Sequence, residues 1–155
     1  MQNRNLLSLP DACTLRKATS GDIWSIRYLV FSAKLDPTQI YWQQFWVIEC
    51  DGKIVACGQL RNFPNAQELG SLVVASAWRG RGLGSFLTQH LISCATQPLY
   101  LECLGQRLAK FYRRFGFVPI GFQELPRSLQ SKFRWSELGR KLHIVPVVFM
   151  QKVDG

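Results

Sequence analysis

The sequence lacks any apolar run near the ~18 residues that a membrane-spanning helix requires. Its first residues, MQNRNLLSLPDAC, lack the sustained apolar core of a secretory signal. No segment is repeated or low in complexity, so neither a repeat array nor a disordered tail is expected. Acidic residues are scarce, 10 Asp and Glu against 19 Lys and Arg, and the formal charge of +9 points to an anionic partner. The five cysteines are odd in number and contain no C-x-x-C pair, which argues against both a zinc site and a disulfide framework. Cys50, Cys57, Cys94 and Cys103 have apolar neighbours, as buried thiols do, and neither histidine has an evident pairing with one of them. A cysteine nucleophile is therefore not expected, and the pattern fits a reducing, cytoplasmic setting with neither metal nor membrane.

What is present is enough for one globular domain. The chain has 155 residues, 47% of them hydrophobic, which suffices for a real core. Residues 1–13 read as a lead-in and 14–155 as the domain. Thr14–Ala18 reads as a strand, and Thr19-Ser20-Gly21-Asp22 as a turn and helix cap. Ile23, Ile26, Leu29, Val30 and Ala33 then follow at helical spacing. Pro37 ends that helix or opens a short second one. Phe45–Cys50 and Ile54–Leu60 are predicted strands joined by an Asp51-Gly52 hairpin turn. Leu69–Val74 is the next strand, and Leu83, Phe86, Leu87, His90, Leu91 and Cys94 mark one face of a helix. A strand at Leu99–Leu104, a helix at Leu108–Phe115 closed by Gly116, and strands at Phe117–Gly121 and Val145–Met150 complete the pattern. Residues 122–144 show no clear period and read as irregular or partly helical. The class is α/β, a mixed sheet flanked by helices.

The chemistry concentrates in AWRGRGLGSF, residues 77–86, between an apolar strand and a helix. The first turn of a helix leaves amides unpaired and favours negative charge, so such a turn can hold phosphate. Glycine lets a ligand approach the backbone, and Arg79 and Arg81 can add charge-assisted hydrogen bonds. Two familiar nucleotide motifs are excluded. The Gly-Lys-Ser/Thr of Walker A is absent, and the G-x-G-x-x-G of a dinucleotide fold is not met. An ordinary turn remains open on these residues alone.

The spacing Arg79-x-x-Gly82-x-Gly84 is similar to the Gln/Arg-x-x-Gly-x-Gly/Ala signature of the GNAT N-acetyltransferases, which lies between their fourth strand and third helix. The resemblance extends to TLRKATSGDIWSI, to LVVASAWRGRGLGSFLTQHL and to LYLECLGQRLAKFYRRFGF, with a tyrosine four residues before Gly-Phe. It implies a single-domain GNAT-type fold, a mostly antiparallel sheet, and acetyl-CoA as co-substrate with no metal. By the resemblance Arg79, Gly80, Arg81, Gly82, Leu83, Gly84 and Ser85 hold the coenzyme A pyrophosphate, mainly through backbone amides. Leu72, Val73 and Val74 present a strand edge to the pantetheine arm, and the Val74 amide polarises the thioester carbonyl.

An amine acceptor of lysine type, with a reference pKa of ~10.4, must lose a proton before it attacks, and the leaving thiolate gains from receiving one. The resemblance makes Tyr112 the candidate acid, also touching the cofactor, and Glu68 the candidate base. Glu49 and Glu102 are rivals for the latter role. Packing on an amphipathic helix is the plain alternative for Tyr112, and a solvated strand entrance for Glu68. Many relatives carry asparagine where this chain has Gly105, so a polar contact made there is not carried over. The acceptor is expected to meet residues 33–44 and 122–145. Tyr41, Trp42, Phe45 and Trp46 in and after the first read as core rather than as a substrate cage. Residues 105–141 hold nine basic and two acidic residues, and the basic character of 122–145 within and beside them favours an amine bearing a carboxylate, or an acidic peptide, over a polyamine or aminoglycoside. The expected function is transfer of acetyl from acetyl-CoA to a primary amine, by a monomer or homodimer. A non-catalytic acyl-CoA-binding regulatory module is the alternative, followed by a nucleic-acid-binding domain, for which no recognition motif is present.

Overall fold

The computed structural model describes residues 8–154. In chain order the elements are β1 (Cys13–Lys17), α1 (Ile23–Ser32), β2 (Phe45–Cys50), β3 (Lys53–Phe63), β4 (Ala66–Val74), α2 (Leu83–Cys94), β5 (Leu99–Leu104), α3 (Gly105–Arg113), β6 (Phe117–Ile120), α4 (Arg127–Lys141) and β7 (Val147–Lys152). Single 3-10 turns occur at Ser20–Asp22, Trp42–Gln44, Ser76–Trp78 and Phe122–Glu124. The strands form one sheet in the order β1-β2-β3-β4-β5-β7-β6. β4 runs parallel to β5, whereas β1–β2, β2–β3, β5–β7 and β6–β7 are antiparallel. The mixed, mostly antiparallel α/β architecture expected above is the one found. Among the described residues no helix is long and apolar enough to cross a membrane. The chain divides into two compact units, residues 1–60 with 71–94 and residues 61–70 with 95–155.

In the first unit, Asp51 and Gly52 have φ of 51° and 79°, the doubly left-handed turn that suits a two-residue hairpin. Asp22 receives the Thr19 amide at 2.7 Å and a bidentate Arg16 guanidinium at 2.7 and 2.9 Å, which fixes the entrance to α1. Ile26, Leu29 and Val30 of α1 then bury against Phe45, Val47, Cys57 and Val73. The β1–β2 register sets Cys13 opposite Cys50, and the two are joined in a disulfide with Cα atoms 4.1 Å apart. This corrects the reading of the cysteines. An odd count does not exclude one pair, and strand register, which spacing does not encode, decides it. Cys13 also belongs to β1 rather than to a lead-in.

In the second unit, α4 lies on β5 and β7. Leu125, Leu129 and Phe133 pack with Ala66, Tyr100, Val147 and Phe149, and the Phe133 and Phe149 rings stack 5.7 Å apart. β3 and β4 run further than their apolar residues suggest, meeting at Pro64-Asn65. The added residues are polar yet buried. Gln67 accepts from the Thr96 and Gln97 amides at 2.8 and 3.0 Å and donates to Asn62 at 2.9 Å, so its burial leaves no amide atom unpaired. α3 begins at Gly105, directly after β5, three residues before its apolar pattern.

Candidate active site

In the first unit the glycine stretch forms an exposed turn between β4 and α2. Gly80 and Gly82 have φ of 77° and 80°, and a Cβ at either would meet no atom within 4 Å. Backbone conformation, not crowding, selects glycine there. The first helical hydrogen bond runs from the Phe86 amide to the Gly82 carbonyl at 3.0 Å. The amides of Leu83, Gly84 and Ser85 lie ahead of it, beyond the reach of the helix's own carbonyls. The Leu83 side chain is buried, so only its main chain can serve a ligand. Arg79 donates to the Val74 carbonyl at 3.3 Å, and Arg81 stacks on Trp78 at 4.5 Å. Both guanidinium groups are thereby held at the turn. At Ser71 a φ of 52° breaks the pleat of β4 just before Leu72, Val73 and Val74. Of these three only Val73 is fully buried.

The loop after α1 is tied into the same unit. Asp36 accepts from the Thr38 amide and hydroxyl at 2.9 and 2.6 Å, and the buried Gln59 donates to the Gln39 carbonyl at 3.1 Å and to Ser71 at 2.9 Å. Phe45 is core, whereas Tyr41 is exposed. Trp46 meets the edge of His90 at 4.2 Å, and His90 Nε2 lies 3.4 Å from Cys94 Sγ. That thiol–imidazole pair, one helical turn apart, was not evident from the sequence. Burial holds the imidazole below its usual range, which favours its neutral form. Glu49, a rival base, is bound by Arg16 at 3.2 Å.

In the second unit Glu68 is buried rather than solvated. Arg61 Nη1 lies 2.6 Å from its Oε1, while Lys132 Nζ contacts Oε1 and lies 2.7 Å from Oε2. A Cβ at Gly70 would collide with the Arg61 guanidinium, so β4 leaves room for that pair. The Lys132 ammonium lies 5.9 Å from the Phe63 ring and 5.1 Å from that of Phe133. Burial, opposed by Glu68 and aided by Arg61, holds the Lys132 amine below its usual range. Glu102 keeps a solvent-facing edge and accepts from Ser136. Its surroundings still exclude enough water to push its carboxyl up, with Glu68 adding to the effect.

Tyr112 is buried in the last turn of α3, with ring contacts to Phe111 at 5.1 Å and Phe117 at 5.8 Å. Burial, helped by the Cys103 thiol, raises its phenol far above the usual range, so it is a proton donor at every working pH. Side chains alternate along β5: Tyr100 packs under α4, and Cys103 points the other way, toward Tyr112. Glu68, level with Tyr100 in the β4–β5 register, shares the α4 face. Within this unit the candidate base and acid thus lie on opposite faces of the sheet. Gly105 uses its amide on the Pro146 carbonyl at 2.7 Å. Among the described residues no cluster of His, Cys, Asp and Glu could hold a metal ion.

Sequence reasoning singled out Glu68 but missed both of its cations. Arg61 stands on the part of β3 that reads as loop, and Lys132 on a helix whose apolar stripe is too sparse to detect. The turn, the strand before it and Tyr112 were each legible. Comparison with known proteins bears on the whole set. The family description "Acetyltransferase (GNAT) domain" matches residues 41–119, half of the chain. The amino-acid acetyltransferase of Pseudomonas putida KT2440 is 33% identical over 97 residues, 60% of this chain and 22% of that protein. The corresponding protein of Shewanella oneidensis is 28% identical over 141 residues, 83% of this chain and 32% of its own length. The chain therefore spans about a fifth to a third of the curated relatives it matches. N-acetylglutamate synthase of Neisseria gonorrhoeae, solved with coenzyme A and N-acetyl-glutamate, shares the fold at a TM-score of 0.74 and 22% identity, over 95% of this chain and 37% of that one. A Mycobacterium tuberculosis protein solved with CoA does so at 0.71 and 24%, over 92% and 99%. With half of its length matched by the family description, and the glycine turn inside that half, the chain belongs to the GNAT acetyltransferase family.

Proposed function

We propose that this chain transfers the acetyl group of acetyl-CoA to the primary amine of a small acceptor carrying a carboxylate, an amino acid being the favoured class. The observation that carries the reading is the turn at 79–85. Two left-handed glycines, open space around them and two arginines prepare the first-turn amides of α2 for a pyrophosphate. The coenzyme A bound by the two solved neighbours and the acetyltransferase names of the relatives support the donor. The amino-acid acceptor draws on those same names and on the basic α4, where Arg127, Lys132, Arg134, Arg140 and Lys141 face a single glutamate, Glu137.

In this reading the acceptor gives a proton to Glu68. The thioester carbonyl is polarised by an amide of the 72–74 segment, Val74 being the expected donor. The thiolate departs toward Tyr112. A thiol has a reference pKa of ~8.5, below that of any buried phenol, so full proton transfer from Tyr112 is uphill. Its contribution is a hydrogen bond that strengthens as charge grows on sulfur. A cytoplasmic setting, where acetyl-CoA is made and used, belongs to the same proposal, although the Cys13–Cys50 disulfide removes the cysteine argument for it.

The test is thiol release from acetyl-CoA with single amino acids, dipeptides, arylalkylamines and polyamines as acceptors. Turnover with amino acids and none with polyamines supports the reading. Coenzyme A binding with no release for any acceptor replaces the enzyme with an acyl-CoA-binding module.

A further inference from the structure

We propose that the outer face of α4 attaches this chain peripherally to a bilayer rich in anionic lipid. Every residue it uses lies on α4 or in the turn that ends it, within the second unit, and none of it depends on the acetyl acceptor. The sequence has no membrane-spanning run, but a helix lying in the headgroup plane needs none.

Two rows of side chains define the face. α4 turns Leu129, Phe133 and Glu137 inward. At about 100° per residue the opposite side carries Trp135, Leu138 and Leu142, spaced i, i+3 and i+7, and these are 79%, 45% and 59% exposed. The helix ends where His143 turns left-handed, at a φ of 56°, and the His143 and Ile144 amides return to the Arg140 and Gly139 carbonyls at 3.1 and 2.9 Å. In such an ending the residue after the left-handed one commonly packs back on the helix. Here Val145 takes that room, since a Cβ on Gly139 would lie 2.4 Å from its Cγ2. Ile144 is instead 73% exposed, a fourth apolar side chain in solvent at this end. Along one border of the stripe run Arg127, Arg134 and Lys141, seven residues or about 10 Å apart. All three are exposed, and none is in a salt bridge with a described residue. Glu137, the one acidic residue of α4, is buried and held by Arg140 at 2.7 and 2.8 Å, so no exposed carboxylate of the helix offsets the row.

An occupant must therefore offer apolar surface and negative charge along one line. A second copy would bring a matching row of cations, on a chain that already carries +9. A nucleic acid offers the charge but no aliphatic surface for Leu138, Leu142 and Ile144. An anionic leaflet offers both in one plane: acyl chains for the stripe, charged headgroups for the row, and the headgroup level for the amphipathic Trp135 ring. Mobile lipids meet the cations whatever their spacing, where a protein partner would need carboxylates at the same interval.

The experiment co-sediments the full chain with vesicles of phosphatidylcholine, with and without ~30% phosphatidylserine. Partition onto the anionic vesicles, little onto the neutral ones, and release by salt are expected. Arg134→Gln and Lys141→Gln should each weaken partition about fivefold. The double variant Trp135→Ser, Leu142→Ser keeps the charge, so its loss of partition separates this face from the basicity of the whole chain. Thermal unfolding of each variant checks that it stays folded, as these exposed positions allow. Equal partition onto neutral vesicles, or partition unchanged in either set of variants, overturns the proposal. So does the absence of partition onto anionic vesicles; a dimer that the double variant dissociates, or an acidic helical peptide bound in their place, would then name the occupant.

Discussion

Replacing Gly82 with alanine isolates what the turn contributes. The backbone there has a φ of 80°, and the added Cβ would meet no atom within 4 Å, so no clash enters. What remains is the cost of an L-residue in the left-handed region, ~1–2 kcal/mol. The protein can meet that cost in two ways. If the turn keeps its shape, the folded state loses the full amount. With ~2.1 cal/mol/K of unfolding entropy per residue, about 0.3 kcal/mol per degree for a chain of this size, Tm falls by ~3–6 °C and coenzyme affinity is unchanged. If the turn relaxes, Tm stays and the amides of Leu83 to Ser85 swing off the phosphate. The affinity then falls ~5–30-fold, since 1.4 kcal/mol is a factor of ten. Thermal unfolding and coenzyme A titration on the same samples measure both terms, and their sum should return ~1–2 kcal/mol. Gly52→Ala is the control, with a φ of 79° and equally open space in the β2–β3 hairpin. It should lower Tm and leave affinity alone. Gly82→Ala with neither quantity altered, or Gly52→Ala weakening coenzyme A as much, would refute the assignment of the turn.

Three further outcomes are expected. Tyr112→Phe keeps the ring contacts with Phe111 and Phe117, so Tm should hold while kcat falls at least ~100-fold; wild-type turnover removes the phenol from the reaction. Asp22, its carboxyl held at about 2 by the Arg16 guanidinium against an ordinary 3.8, contributes stability that is present above pH ~4 and lost as pH falls through about 2. Asp22→Asn should therefore be weaker than wild type at neutral pH, with the two unfolding midpoints converging between pH 4 and 2; a constant gap down to pH 2 would contradict the linkage. Titration of thiols in denaturant without reductant should count three, Cys57, Cys94 and Cys103, whereas five would mean that Cys13 and Cys50 are unbonded.

The fold was legible wherever burial follows apolarity. The short apolar run Phe45–Cys50, the Asp51-Gly52 turn and the helical spacing of Leu83, Leu87 and Leu91 each mark an element. Legibility ends where the buried residues are polar. Arg61, Gln67 and Glu68 are as buried as their apolar neighbours, yet on a hydropathy pattern they read as loop. β3 and β4 consequently look shorter than they are. The same holds for α4. Its buried positions are Leu129, Phe133 and Glu137, one per turn with a glutamate as the third, while Trp135 and Leu138 face solvent. A period carried by two apolar residues in fifteen, with as many large apolar side chains on the wrong face, is no period to a reader of sequence.

That loss falls on Arg61 and Lys132, the partners of the proposed base. The proposed donor side rests on local features, a turn of a few residues and a tyrosine four positions before a Gly-Phe pair, so a linear reading reaches it. The surroundings of Glu68 are built by distance. Lys132 meets Glu68 across 64 positions, by way of a helix laid over β5 and β7 by Tyr100, Val147 and Phe149.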